Sequence, residues 1–196
     1  MCIWETRVQD YAEFVKAKGM TWEKPTFTQG TTHPAVNVSW EDATAFCKWL
    51  SEKEGRTYRL PTDAEWSTAV GLRGETGATP SDKDTKVEGF PWGTTQFPPP
   101  KGAGNYDSSL NVDSFEKTAP VGSFTANTLG IFDLGGNVWE WCDDWYDTDQ
   151  TAWVLRGASC YNVGRDRLLS SYRADGLSGY RYDDVGFRCV VGGSVP

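Results

Sequence analysis

The chain has 196 residues, a formal net charge of −8 and an unusual balance of apolar residues. Leu, Ile, Val and Phe make up only about 18% of it, which at this charge is typical of disordered chains. The chain also contains 10 Trp, 8 Tyr and 9 Phe, and each buried ring removes roughly 150–250 Å² from water. We therefore predict one folded domain over residues 1–196 with a tryptophan-rich core.

Charge and patterning exclude several classes of protein. The 27 acidic residues outnumber the 19 basic ones, so we expect no nucleic acid as a partner. No run of 18 apolar residues occurs, so we expect no membrane span. The residues from Met1 to Trp4 lack the features of a signal peptide, which leaves the localisation open, with a secreted or cell-surface location possible for a truncated chain. The oligomeric state is also left open.

Three stretches carry the capping-box pattern, in which a hydroxyl residue is followed three positions later by an acidic or amide residue. The pairs are Thr6 and Gln9, Ser39 and Asp42, and Thr62 and Glu65. Apolar residues at helical spacing follow each pair, so we predict three helices that end at Gly19, at Gly55 and near Val70.

Glycine and proline interrupt the chain from residue 71 to residue 106, which predicts a long loop. Short strands are predicted at 119–124, 139–145, 153–157 and 186–191. This mixture of helices and short strands indicates the α+β class.

Five motifs occur in a fixed order along the chain. They are HPAVNVSW at 33–40, RLPTDAEW at 59–66, GGNVWEW at 135–141, LRGAS at 155–159 and GFRC at 186–189. In this order they closely resemble the formylglycine-generating enzyme (sulfatase-modifying factor) family, over about residues 5–191. The resemblance implies a variant of the C-type lectin-like fold with much irregular structure. The family's usual N-terminal strand has no counterpart, so we expect the N-terminal part of the family domain to be missing from this chain.

The oxidase members of this family hold copper between two cysteines. The resemblance places these two positions at Asn162 and Arg167, and neither side chain binds Cu(I) as a thiolate does. Cys160 lies two residues early, and one thiol cannot form a two-coordinate site. We therefore expect no copper and no catalytic residues in this chain.

The resemblance also implies two calcium sites. The first would use side chains of Asn105 and Asp113 with backbone carbonyls of Tyr106 and Phe115. The second would use side chains of Asp133 and Glu140 with backbone carbonyls of Gly136 and Val138. Mixed carboxylate, amide and carbonyl oxygens suit Ca²⁺, and the alternative is that these acids are ordinary surface charges. We expect structural Ca²⁺ ions that order the long loops.

The five cysteines include no CxxC pair, which disfavours a zinc ribbon. Cys47 and Cys189 match a structural disulfide of secreted family members. The resemblance therefore implies a bridge between them, and the alternative is a pair of buried free thiols.

Residues 160–184 differ in composition from the rest of the chain. They hold half of the tyrosines, among small polar residues of the kind that binding surfaces favour. The predicted ligand-binding residues are Cys160, Tyr161, Asn162, Val163, Gly164, Asp166, Tyr172, Ala174, Asp175, Ser178, Tyr180, Tyr182 and Asp183. Leu168, Leu169, Arg173 and Arg181 are predicted to form the scaffold beneath this surface.

This segment also resembles the diversified segment of the variable proteins of diversity-generating retroelements. We predict a noncatalytic domain that binds a protein or small ligand through residues 160–184, a surface that such a retroelement would diversify. For this segment the alternative is an ordinary loop of a family member that has lost catalysis. The alternative is a formylglycine-generating-type oxidase or related oxidoreductase with an altered metal site. A sugar-binding lectin is disfavoured, because the chain has neither a Glu-Pro-Asn nor a Gln-Pro-Asp motif.

Overall fold

The computed structural model describes residues 1–194 and confirms the α+β class, with short elements joined by long irregular segments. The helices are α1 (Val8–Lys18), α2 (Trp40–Glu54), α3 (Asp63–Val70) and α4 (Pro80–Lys83). The strands are β1 (Arg56–Arg59), β2 (Trp139–Trp145), β3 (Trp153–Arg156), β4 (Ala174–Gly176), β5 (Val185–Gly186) and β6 (Val190–Ser194). Within residues 1–194, none of the helices is long and apolar enough to cross a membrane.

Helices α2 and α3 begin and end as predicted. The Ser39 side chain accepts a hydrogen bond from the backbone of Asp42, and the Thr62 side chain accepts one from the backbone of Glu65. Gly55 follows α2 in the left-handed conformation (φ 66°), and its N–H donates to the carbonyl of Ser51 in the last turn of the helix.

The capping box predicted for α1 is wrong by one residue. Arg7, not Thr6, caps the helix, and its guanidinium Nε lies 2.8 Å from the Asp10 carboxylate. Thr6 is held elsewhere, because its N–H donates to the carbonyl of Phe187 and its carbonyl accepts from the N–H of Ala35. A tertiary contact therefore overrides the local pattern.

Two small sheets form the β part of the fold. The larger has the order β4-β3-β2-β5, with β5 parallel to β2, and the smaller pairs β1 with β6. The predicted strands at 139–145 and 153–157 are confirmed as β2 and β3. The strand predicted at 186–191 is divided into β5 and β6, because the intervening carbonyls of Phe187 and Cys189 accept from Thr6 and Cys2 of the N-terminal segment.

The strand predicted at 119–124 does not form. The N–H of Ser123 instead donates back to the carbonyl of Pro120, and Gly122 has a positive φ of 78°. This turn leaves no extended run to pair with a neighbour. The predicted loop at 71–106 is largely irregular, apart from the single turn of α4.

Aromatic rings dominate the core, as the composition indicates. Tyr11, Phe14, Phe46 and Phe187 pack against one another in one continuous cluster. Trp66, Trp139 and Trp141, predicted as core residues, are buried, whereas Trp40, Trp49 and Trp145 are half-buried.

Two charged clusters lie inside this core. Asp63 is paired with the guanidinium groups of Arg156 and Arg173, and both arginines are almost completely buried. Burial raises the pKa of Asp63, but the two arginines outweigh it and lower the pKa below its ordinary value. The second cluster pairs Glu140 with Arg188, both buried, through two contacts of 2.7 Å.

Candidate binding face and metal positions

Residues 160–184 are anchored from the inside of the protein. Leu168 and Leu169 are buried, and Arg173 donates to Asp63 from Nε at 3.0 Å and from Nη2 at 2.9 Å. These three residues are therefore scaffold, as predicted. Arg181 is not, because it is exposed and forms a 2.7 Å ion pair with Asp42 at the start of α2.

The predicted binding residues divide into buried and accessible groups. Cys160 and Asn162 are buried, so their side chains do not form part of the surface. The exposed or half-buried ones are Tyr161, Val163, Gly164, Asp166, Tyr172, Ala174, Asp175, Ser178, Tyr180, Tyr182 and Asp183. We call the accessible set the binding face.

Two tyrosines project from the binding face. Tyr180 is 49% exposed and Tyr182 is 45% exposed, and their rings meet edge-on with centroids 5.9 Å apart. Leu177, which is 42% exposed, lies three residues before Tyr180, and its carbonyl accepts the N–H of Tyr180. The loop packs on the start of α2, because the N–H of Trp40 donates to the carbonyl of Ser178.

Tyr161 lies on the same face and already contacts a cation. Its hydroxyl donates to Asp183 at 3.4 Å, and the Lys117 Nζ lies 4.3 Å from the centroid of its ring. Burial, followed by the charge of Asp183, raises the pKa of Tyr161. Sequence reasoning missed Lys117, which is distant in the chain and carries no local signal of this contact.

The two positions that the resemblance assigns to copper, 162 and 167, carry no thiolate. The Asn162 side chain is buried and accepts from the N–H of Ser159 at 2.8 Å and from its hydroxyl at 3.2 Å. The Ser159 hydroxyl in turn lies 2.7 Å from Asp184, and Arg167 is exposed. Burial, followed by Asp184, raises the pKa of the Cys160 thiol to about 12, which keeps it protonated at neutral pH.

The first predicted calcium set is partly assembled. Asn105 is fully buried, and its Nδ2 donates to the carbonyl of Lys117 at 2.8 Å and to Oδ1 of Asn137 at 3.1 Å. Its Oδ1 is buried without a hydrogen-bond partner. The Asp113 carboxylate accepts from the backbone N–H groups of Tyr106 and Phe115, the two residues predicted to supply carbonyls. The amide oxygen of Asn105 is therefore the one side-chain oxygen of this set that is left without a partner within residues 1–194, and the calcium site stays a prediction.

The second predicted set has a competing cation. Both oxygens of Glu140 accept from Arg188, and Oε2 also accepts from Nε1 of Trp66 at 3.1 Å. Asp133 accepts from the N–H of Gly122 at 2.7 Å, and burial raises the pKa of Asp133 to about 6. Gly136 and Val138 lie nearby in the chain, but the carboxylate of Glu140 is already neutralised. Within residues 1–194, we find no group of three or more His, Cys, Asp or Glu side chains that could hold a metal ion.

Cys47 and Cys189 lie in contact inside the core. Their sulfur atoms are 3.4 Å apart, and both are present as free thiols. A disulfide bond would require the sulfurs to approach to about 2.05 Å. The predicted pairing is therefore compatible with the fold and stays a prediction.

Comparison with known proteins identifies the family. A family model described as the sulfatase-modifying factor enzyme 1-like domain matches residues 2–192. The chain belongs to this family.

It is 29% identical to the formylglycine-generating enzyme of Mus musculus over 207 residues, which cover 91% of this chain and 50% of that protein. It is 31% identical to the inactive C-alpha-formylglycine-generating enzyme 2 of Bos taurus, over 97% of this chain and 62% of that protein. The chain thus spans about half to three fifths of the length of these curated relatives.

Solved structures confirm the fold that the resemblance implied. PvdO from Pseudomonas aeruginosa superposes with a TM-score of 0.74 at 23% identity, covering 96% of this chain and 78% of that one. Variable protein 1 of Treponema denticola superposes with a TM-score of 0.65 at 22% identity, covering 94% and 81%. At these identities the likeness establishes the fold alone.

Proposed function

We propose that this chain is a noncatalytic member of its family that binds a protein or small ligand through the binding face. The observation that carries the proposal is the replacement of both copper positions, one by the buried amide of Asn162 and the other by the exposed guanidinium of Arg167. Cys160 does not substitute for them, because it is buried and protonated at neutral pH.

The accessible side chains support binding. Tyr180 and Tyr182 expose large rings on a loop fixed to α2, and tyrosine supplies contact area at a small cost in conformational entropy. The fold shared with a variable protein of Treponema denticola is consistent with a surface that a retroelement diversifies.

We also propose that the Asn105 and Asp113 set holds one structural Ca²⁺. The support is the buried Asn105 Oδ1, which lacks a hydrogen-bond partner within residues 1–194 although the Nδ2 of the same side chain has two. With the Asp113 carboxylate and the carbonyls of Tyr106 and Phe115, it offers the mixed oxygen set that Ca²⁺ prefers. The Glu140 set is a weaker candidate, because Arg188 holds that carboxylate.

Panning a displayed library of short random peptides against the purified chain tests the binding proposal. We expect binders that are lost on the Tyr180→Ser/Tyr182→Ser double variant, which alters only exposed rings. Circular dichroism and thermal melting of the variant control for its fold. If every recovered binder still binds the double variant as well as the unaltered chain, the binding face is contradicted.

Enzyme activity is the second candidate, and the similarity to the formylglycine-generating enzyme of Mus musculus favours it. Two measurements decide between the candidates: competition for Cu(I) against a chelator, and oxygen uptake with a cysteine-containing peptide. We expect neither tight Cu(I) binding nor peptide-dependent oxygen uptake. Either one would overturn the noncatalytic proposal.

A further inference from the structure

The exposed tyrosine pair lies among carboxylates. Asp175, Asp183 and Asp184 belong to the same segment, and Asp175 pairs with β3 while its side chain faces solvent. Burial is the largest cause of a raised pKa at Tyr182, followed by Tyr180 and then by the charges of Asp184 and Asp175. Asp183 also follows Tyr182 directly in the chain, and its carboxylate lies 3.4 Å from the Tyr161 hydroxyl, so the exposed rings and these carboxylates belong to one surface segment.

None of these three carboxylates forms an ion pair within 4.0 Å among residues 1–194. Every ion pair within 4.0 Å in that range involves other acids. Arg181, on the same loop, does not neutralise them, because Asp42 holds its guanidinium with contacts of 2.7 and 2.8 Å. Asp175, Asp183 and Asp184 thus stay outside every ion pair in that range, in the same segment as the exposed aromatic rings.

Lys117 provides an example, within this chain, of a cation in contact with a tyrosine ring near a carboxylate. Its ammonium group lies 4.3 Å from the centroid of Tyr161, the tyrosine whose hydroxyl donates to Asp183. The ammonium group of Lys117 thus packs against the ring of Tyr161, close to the carboxylate of Asp183. Within the described residues, no lysine or arginine lies over Tyr180 or Tyr182 in the same way.

We propose that the Tyr180–Tyr182 pair binds a lysine or arginine side chain of a protein partner, with Asp175 and Asp183 as its counter-charges. A cation within about 6 Å of an aromatic centroid is attracted to the ring face, and a neighbouring carboxylate adds to that attraction. The net charge of −8 favours the approach of a basic partner. This inference rests on the proposed binding function and adds the chemical class of the group that is recognised.

The peptides recovered in the panning experiment serve as the probe. We expect those that depend on the tyrosine pair to be rich in lysine or arginine. Replacing their basic residues by glutamine should weaken binding about tenfold or more, as should the Asp175→Asn/Asp183→Asn double variant. The control is Glu13→Gln/Asp149→Asn, two exposed acids outside the binding face that give the same change in net charge. It should change affinity by less than about twofold at physiological salt.

The outcomes of this experiment distinguish a failure of cation recognition from a failure of the proposed binding function. Peptides that need the tyrosines but tolerate glutamine in place of their basic residues would overturn the recognition of a cation and leave the binding face intact. Equal losses of peptide affinity in the Asp175/Asp183 and Glu13/Asp149 double variants would also overturn the recognition of a cation. They would show only a general effect of net charge. If none of the recovered peptides depends on the tyrosines, the proposed binding face fails, and this inference fails with it.

Discussion

The buried pair of Glu140 and Arg188 gives the most quantitative test of the fold. Glu140→Gln keeps the shape of the side chain but leaves the Arg188 guanidinium without its closest counter-charge. Breaking a buried pair by changing one partner costs about 3–5 kcal/mol. We expect the lower end, about 3 kcal/mol, because Asp133 also acts on Arg188 and raises its pKa, and Asp133, with a pKa of about 6, is ionised at the neutral pH of the assay. For a domain of this size, that corresponds to a fall in Tm of roughly 6–12 °C.

The assay is urea unfolding at neutral pH, followed by tryptophan fluorescence. A double-mutant cycle with Arg188→Gln isolates the interaction, since both single variants break the same pair. Arg59→Met is the matched control, because Arg59 and Glu65 lie as close together, at 2.6 Å, but are partly exposed. We expect the control to cost at most about 1 kcal/mol. A Glu140→Gln variant no less stable than Arg59→Met, or a cycle with no coupling, would refute the reasoning.

Three further predictions concern the thiols and the calcium position. Iodoacetamide at mildly alkaline pH should label half-buried Cys2 much faster than Cys160 in the native protein. Burial raises the pKa of both thiols, to about 12 for Cys160, but only Cys160 is also closed off from the reagent. Labelling of Cys160 as fast as that of Cys2, detected by mass spectrometry, would contradict this. Oxidation should form a disulfide bond between Cys47 and Cys189, which a non-reducing peptide map detects. In the chain-entropy model this bond stabilises the fold by roughly 4–5 kcal/mol. An oxidised protein with the same Tm as the reduced protein would contradict the stabilisation. Removing Ca²⁺ with a chelator should lower Tm, because Ca²⁺ at 100 times its Kd stabilises the folded state by about 2.7 kcal/mol. The Asp113→Asn variant should show no such fall in Tm. If the chelator leaves the Tm of the unaltered chain unchanged, the calcium proposal is wrong.

The parts of the fold that local chemistry determines could be predicted. The caps of α2 and α3 depend on hydrogen bonds between residues three apart, such as Ser39 and Asp42, and both formed where the sequence indicated. The cap of α1 could not be predicted in this way, because the backbone of Thr6 is bound by Phe187 and Ala35 from distant parts of the chain. Family motifs supplied the overall fold, which composition alone does not contain.

The candidate site was predicted only in part, for the same reason. The position of the tyrosine-rich segment was visible in the sequence, and the exposure of Tyr180 and Tyr182 is as expected. The inward orientation of Asn162 depends on a hydrogen-bonded turn with Ser159, and the ammonium over Tyr161 comes from Lys117. Strand β4 was missed as well, because it has no alternating apolar pattern and forms by pairing with β3.

The attachment of Arg173 to Asp63 has a thermodynamic consequence for any partner. Ordering a flexible backbone costs roughly 1–2 kcal/mol per residue, so a loose segment would lose much of its contact energy on binding. Here the two side-chain contacts of Arg173 and the buried Leu168 fix the segment before a partner arrives. Substitutions at the exposed positions then change the chemistry of the contact without adding an ordering cost, and differences in affinity among such variants should appear mainly in their dissociation rates.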